Sequence, residues 1–291
     1  MRPVGVEIVF LVEDYAGYGT LGVVGEHGLS VLIRVFYGDG LVREVLYDTG
    51  ATGYALERNT QALGISLKNV EVIALSHRHY DHSGGLIKAL KLVGKSIPIV
   101  SHPDLFLPSM EIDERNVWLD VGLPFTRKEL EDAGGRTILL RNEIQLIPGV
   151  WWLGEIPRLT EYESPPKWAY TVRDGELVKD ALKDDTGIAI DIEGFGTVVI
   201  GGCSHSGIVN IVRKASKVTK ESPRVVMGGL HLVEADDTRI DPTIRDLKSE
   251  GIESAYLGHC TGLKAEAKFL KEFGKSFRKI HSGLRVSFRK F

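Results

Sequence analysis

Runs of β-branched and aliphatic residues fill much of the first fifty positions, at 6–12, 29–36 and 42–47. Each has the length of a strand, and Gly38, Asp39 and Gly40 between the last two predict a hairpin. The period then changes. A helical stretch over about 53–63 leads into an apolar strand at 70–75, and Leu86, Ile87, Leu90 and Val93 recur at the spacing of one helix face. From about 102 to 183 the rhythm is lost: seven of the eleven prolines fall there, and this span reads as an irregular insertion near a site. Regularity returns with strands at 187–192 and 197–200, a helix over about 207–218 and a strand at 224–227. A helix opening at Asp241-Pro242, a strand at 254–257 and a helix at 264–273 follow.

Strands followed by helices in both halves predict an α+β fold: a four-layer αβ/βα sandwich, two mixed β-sheets flanked by helices. The chain is read as one domain, 1–291, with the insertion at about 102–183. No repeat of fixed short period is visible.

With 43% hydrophobic and 26% charged residues, the composition is that of an ordinary globular protein. A net charge of -3 offers no general attraction to phosphate backbones or anionic lipid, so neither nucleic acid nor membrane is an expected partner. The densest basic cluster, around Lys271 to Lys279, alternates with apolar residues as a solvated helix face does. Residues 6–12 are too short for a signal-peptide core, and no run reaches membrane-spanning length. Two cysteines, Cys203 and Cys260, are too few for a disulfide framework and fit a reducing cytoplasm. Only two glutamines and five asparagines occur, a trait of heat-adapted proteins.

The chemistry concentrates in His77-Arg78-His79-Tyr80-Asp81-His82, which holds three of the nine histidines directly after a strand. In extended backbone His77 and His79 point the same way and can share one metal. Asp81 and His82, where the chain turns, can face a second. Imidazole and carboxylate suit zinc, iron or manganese, and two such ions clamp an oxyanion or generate hydroxide near neutral pH.

Ser-His-Arg-His-Tyr-Asp-His-Ser-Gly-Gly at 76–85 resembles the signature of the metallo-β-lactamase superfamily. Leu46-Tyr47-Asp48-Thr49-Gly50 resembles the aspartate motif that supports its metal loop, and the later histidines His205 and His259 follow strands where the remaining ligands belong. The resemblance implies a two-metal enzyme with His77, His79, Asp81, His82, His205 and His259 as ligands, zinc being the expected ion. One departure stands out. Many members supply a bridging aspartate where this chain has Gly202-Cys203, so Cys203 reads either as a soft thiolate ligand or as a buried structural cysteine. Asp185 is read as a second carboxylate candidate or as a solvated acid, and Cys260 as packing.

Glu26-His27-Gly28-Leu29-Ser30, Asp184-Asp185, the segment 203–210, Gly228-Gly229-Leu230-His231-Leu232 and His259-Cys260-Thr261-Gly262 are together similar to the dihydropterin synthase-like branch. That likeness implies transfer of a dihydropterin methyl group from its diphosphate to a ribofuranosyl-aminobenzene phosphate, a step toward methanopterin. Asp81 and His231 are the expected catalytic groups, and His27, Arg158 and His231 the expected substrate contacts. Trp151, Trp152, Trp168, Tyr162 and Tyr170 are candidates to stack on a ring. Hydrolysis of a phosphoester, lactone or amide is the alternative reaction, and a non-catalytic or redox dinuclear module the alternative class. His102 and His281 read as ordinary polar residues. An exposed apolar edge in the insertion is where a homo-oligomer would form.

Overall fold

The computed structural model describes residues 1–289. Among the described residues eighteen strands form three sheets. The first contains β1 (Pro3–Val12), β2 (Ser30–Tyr37), β3 (Val42–Tyr47), β4 (Val70–Ala74), β5 (Ile97–Ser101), β8 (Gly135–Leu139) and β18 (Arg285–Arg289), in the order β18-β1-β2-β3-β4-β5-β8. The second contains β9 (Ile144–Ile147), β10 (Val150–Trp152), β13 (Gly187–Ile192), β14 (Gly196–Gly201), β15 (Pro223–Gly229), β16 (Ser254–Gly258) and β17 (Phe277–Lys279), in the order β17-β16-β15-β14-β13-β10-β9. Both are mixed. Pairing is antiparallel from β18 to β3 and parallel from β3 to β8. The second sheet is likewise parallel from β17 to β14 and antiparallel beyond.

Successive side chains of a strand face opposite sides, and here both sides are covered. Val6, Ile8 and Phe10 of β1 pack between the sheets against Ile188, Ile190, Val198 and Ile200. Val9 and Leu11 point outward to the helices α1 (Tyr54–Ala62) and α3 (Leu86–Val93). On the far side α5 (Ile208–Thr219), α6 (Asp237–Ser249) and α7 (Leu263–Phe273) cover Val199, Val226 and Leu257. Strands buried on both faces read as continuous apolar runs, which is why the sandwich is legible as blocks of Val, Ile and Leu. No helix among the described residues is long and apolar enough to cross a membrane.

Two expectations change. The helix expected to open at Asp241 starts a turn earlier, because Asp236 accepts a hydrogen bond from the Thr238 backbone nitrogen and caps it, leaving Pro242 inside α6. The span 102–183 is more regular than its prolines suggest: β8, β9 and β10 belong to the main sheets. What stands apart is a small sheet, β12-β11-β6-β7, built from β6 (Met110–Ile112), β7 (Trp118–Asp120), β11 (Ala169–Arg173) and β12 (Glu176–Lys179). Its edge strand β7 exposes Trp118 and Leu119 by about half, at 51% and 54%.

Candidate metal centre

The C-terminal ends of β1, β3, β4, β14, β15 and β16 meet at one end of the sandwich. Asp48, Ser204, His231 and His259, all at or just beyond strand ends, adopt left-handed backbone with φ of 57°, 62°, 44° and 47°. Such backbone costs about 1–3 kcal/mol per non-glycine residue and collects at functional sites. The metal loop is also packed too tightly for a side chain at two neighbours. A Cβ on Gly28, whose φ is +129°, would strike the Asp81 carbonyl, and one on Gly84 would strike the Ala51 carbonyl.

Asp48 organises the loop from below. It accepts from the Ser76 backbone nitrogen at 2.7 Å, from Ser76 Oγ at 2.7 Å and from His82 Nδ1 at 2.7 Å. Because the Ser76 hydroxyl donates to Asp48, it accepts from His77 Nδ1, 2.9 Å away. Both imidazoles are thereby set with Nδ1 engaged and Nε2 turned toward the site.

Four donors then cluster closely, all within 4.8 Å of one another. His82 Nε2 lies 3.1 Å from His259 Nε2, 3.1 Å from Cys203 Sγ and 3.3 Å from Asp81 Oδ2. His259 Nε2 is 3.3 Å from Cys203 Sγ and 3.2 Å from Asp81 Oδ2. Donors at this spacing can each lie about 2 Å from a common point, the length of a zinc–imidazole bond. Beside it, His77 Nε2, His79 Nε2 and both ring nitrogens of His205 are buried without a hydrogen-bond partner. Buried polar atoms are ordinarily paired, so donors that converge unpaired in this way fit a second cation. His77 and His205 group with Cys203, and His77 and His79 with Asp81, each set within 4.8 Å.

Charge follows the same division. Burial together with neighbouring imidazoles holds His77 and His205 well below their usual range, and burial brings His79 to about 4. Burial also opposes charge on His82, but Asp81 and Asp48 outweigh it and raise that ring to about 10. Burial thus favours neutral imidazole, the form that binds metal, in one half of the centre, while in the other half a cation would take the place of the positive charge that Asp81 stabilises. Burial pushes the Cys203 thiol up.

The other site residues expected from sequence fall into two groups. His231 reaches the centre: its ring centroid is 4.3 Å from that of His205, its backbone nitrogen donates to Cys260 Sγ at 3.2 Å, and its Nδ1 has no partner. His27 sits on the rim, 57% exposed, with Nε2 3.6 Å from Asp81 Oδ2. Arg158 does not reach it. Its guanidinium donates to the backbone oxygens of His205 at 2.8 Å and Ala181 at 2.5 Å, so it braces the His205 loop from outside the cavity. Asp185 is buried, with Oδ2 accepting from the Ser206 nitrogen and hydroxyl and Oδ1 without a partner, and the converging donor groups do not include it. Of the five aromatics only Trp168 lines the cavity. Trp152 is core and donates to the Leu75 carbonyl, Trp151 packs on the outer core, Tyr162 donates to Asp246, and Tyr170 lies under the Lys179 ammonium. His102 caps the turn at Asp104, and His281 contacts the Ser282 carbonyl.

Sequence reasoning missed Glu13 and Asp14, at the end of β1. Asp14 accepts from His259 Nδ1 at 2.9 Å and His27 Nδ1 at 3.1 Å, while Glu13 takes the His259 backbone nitrogen at 2.6 Å. The cavity above the centre has a volume of about 540 Å³ and a lining that includes Tyr80, Glu111, Leu119, Asp120, Trp168 and Val233. Among the described residues no lysine or arginine lines it. Trp168 stands over the histidines, with ring centroids 6.0 Å from His79 and 5.9 Å from His231.

Comparison with known proteins agrees with this geometry. Residues 24–214 match the family profile described as the metallo-beta-lactamase superfamily. The chain is 37% identical, over 97% of both sequences, to 7,8-dihydropterin-6-methyl-4-(beta-D-ribofuranosyl)-aminobenzene-5'-phosphate synthase of Methanocaldococcus jannaschii. Among solved structures, Tm1679, a metal-dependent hydrolase of the beta-lactamase superfamily, superposes with a TM-score of 0.80 at 26% identity, covering 97% of this chain and 98% of that one. The metallo-beta-lactamase fold protein YhfI from Bacillus subtilis shares the fold, with a TM-score of 0.56 at 13% identity, covering 98% of this chain and 100% of that one.

Proposed function

Because the chain belongs to the metallo-beta-lactamase superfamily, a superfamily of metal-dependent enzymes, we propose that it is a two-metal synthase joining a dihydropterin methyl diphosphate to a ribofuranosyl-aminobenzene phosphate. The observation that carries this reading is 37% identity across nearly the full length of the Methanocaldococcus synthase, which extends well beyond the metal loop.

In the proposed centre His77, His79 and His205 would hold one divalent ion and Asp81, His82 and His259 the other, zinc being the expected metal with iron and manganese as alternatives. When bound, the pair supplies positive charge against the departing diphosphate, a need made acute by a lining that holds no lysine or arginine among the described residues. The amine nitrogen of the acceptor forms the new bond to the methylene carbon, and diphosphate leaves with the electron pair of the C–O bond. His231 Nδ1, unpartnered in the cavity, takes the proton released from that nitrogen. Trp168 packs against a ring of the substrate and keeps water from the methylene, and His27 meets a phosphate at the rim. The substrate is a phosphorylated small molecule, and two free cysteines fit a reaction in the cytoplasm.

Diphosphate release that requires the aminobenzene acceptor tests the reading, together with elemental analysis. Expected are about two equivalents of metal, and His79→Ala should lose both metal and turnover. The likeness to Tm1679 favours hydrolysis as the second reading, and acceptor-independent release would replace the synthase with it.

A further inference from the structure

Cys203, like Asp81, sets its ligand atom close to donors from both halves of the centre. Its Sγ lies among the ligand atoms of Asp81, His82 and His259, 3.1 Å from His82 Nε2 and 3.3 Å from His259 Nε2, and it also falls within 4.8 Å of the ligand atoms of His77 and His205. The cysteine is 4% exposed. The atoms around it are unpartnered buried imidazole nitrogens, His77 Nε2 and His205 Nε2, so the sulfur does not merely fill apolar space. Cys260 is different: its sulfur accepts from the His231 nitrogen, approaches the Cys203 carbonyl at 3.6 Å, and groups only with Cys203 and His231.

Resting on the dinuclear reading above, we propose that the Cys203 thiolate is a ligand shared by both ions, doing with sulfur what a bridging carboxylate would do with oxygen. The single thiol proton then leaves to solvent as the first sulfur–metal bond forms, and the second ion meets a thiolate already made. Two consequences follow. A shared ligand couples the two ions, so its loss weakens both binding steps and not one. A thiolate also favours soft ions such as zinc, iron and cobalt over manganese, whereas a carboxylate in the same place relaxes that preference.

The test is cobalt(II) titration of the reduced full-length protein under anaerobic conditions, followed by absorption and by chelator competition. The expected result is a thiolate-to-cobalt charge-transfer band that grows across both equivalents and persists in Cys260→Ser. In Cys203→Ser the band should disappear and both equivalents should bind about 10–100-fold more weakly. Cys203→Asp covers the case in which serine leaves an unfolded chain: it should bind cobalt without the band and take manganese relatively better against zinc than the wild type does. Two bound cobalt ions without a charge-transfer band would overturn the proposal while leaving the dinuclear centre standing. A band that follows only one equivalent, or the loss of only one binding step in Cys203→Ser, would overturn the sharing. Failure of the wild type to bind cobalt would remove the dinuclear reading and this inference together.

Discussion

Arg78, inside the histidine run, has a side chain with no solvent exposure. Its guanidinium is paired with Asp180 and, at 2.7 Å, with Asp184, whose second oxygen accepts from the Arg78 backbone nitrogen at 3.0 Å. Arg78→Met would therefore leave two carboxylates buried beneath the metal loop without a counter-charge. Breaking a buried ion pair from one side costs about 3–5 kcal/mol, whereas replacing every partner by neutral groups of similar size can be nearly neutral. At about 2–4 °C per kcal/mol for a domain of somewhat smaller size, the single change should lower the midpoint of thermal unfolding by roughly 10 °C. The measurement belongs on metal-free protein, so that ion binding does not add to the difference. The triple change Arg78→Met, Asp180→Asn, Asp184→Asn should recover a large part of the loss. Because Asp184 precedes Asp185, which holds the Ser206 nitrogen, the single variant should also bind metal more weakly through displacement of His205. A single variant within about 1 kcal/mol of wild type, or a triple variant no more stable than the single, would refute the reasoning.

Asp14→Asn should weaken metal binding about 10–100-fold in chelator competition, since His259 Nδ1 loses its carboxylate orienter, with little change in the stability of the metal-free chain. Glu163 accepts from the Val209 and Asn210 nitrogens at the start of α5, at 3.0 and 3.2 Å, so Glu163→Ala should cost about 1–2 kcal/mol in denaturant unfolding. Trp168→Ala should raise KM for one or both substrates while metal content, read by elemental analysis, stays unchanged. Saturating the centre at a hundredfold excess over Kd should add about 2.7 kcal/mol to stability, and an unmoved unfolding midpoint would count against a preformed site.

How much of this was legible depended on whether the chain keeps the relevant groups close in sequence. His77, His79, Asp81 and His82 fall in six consecutive residues after an apolar strand, so period-two alternation and metal chemistry were enough to single them out. His205 and His259 could be placed because each follows a strand, and parallel strands of one sheet deliver their C-terminal ends to the same place. Asp14 carried no such mark: 245 residues separate it from the imidazole it orients, and in sequence it is merely an acid after a strand. Trp168 and Arg158 show the same limit from opposite sides. Both lie in a proline-broken span where period does not reveal direction. The short pairing of β11 with β6 accompanies Trp168 into the cavity, while two backbone carbonyls absorb the arginine whose charge suggested a phosphate contact.

The missed residues explain why the centre is held so tightly. Imidazoles that bind metal must be neutral, must turn one particular nitrogen inward and must be spaced within a few tenths of an ångström. The histidine loop cannot meet these conditions alone. Asp48 sets His82, and Ser76 relays that constraint to His77; Asp14 and Glu13 fix His259 from the end of β1 in the other sheet; Asp185 and Arg158 clamp the segment carrying His205. Each support comes from a different strand end or loop, so closing the sandwich and assembling the centre are one event. Destabilising substitutions at the rear of the site, Arg78 above all, should therefore be detected as weaker metal binding before they appear as a changed substrate preference.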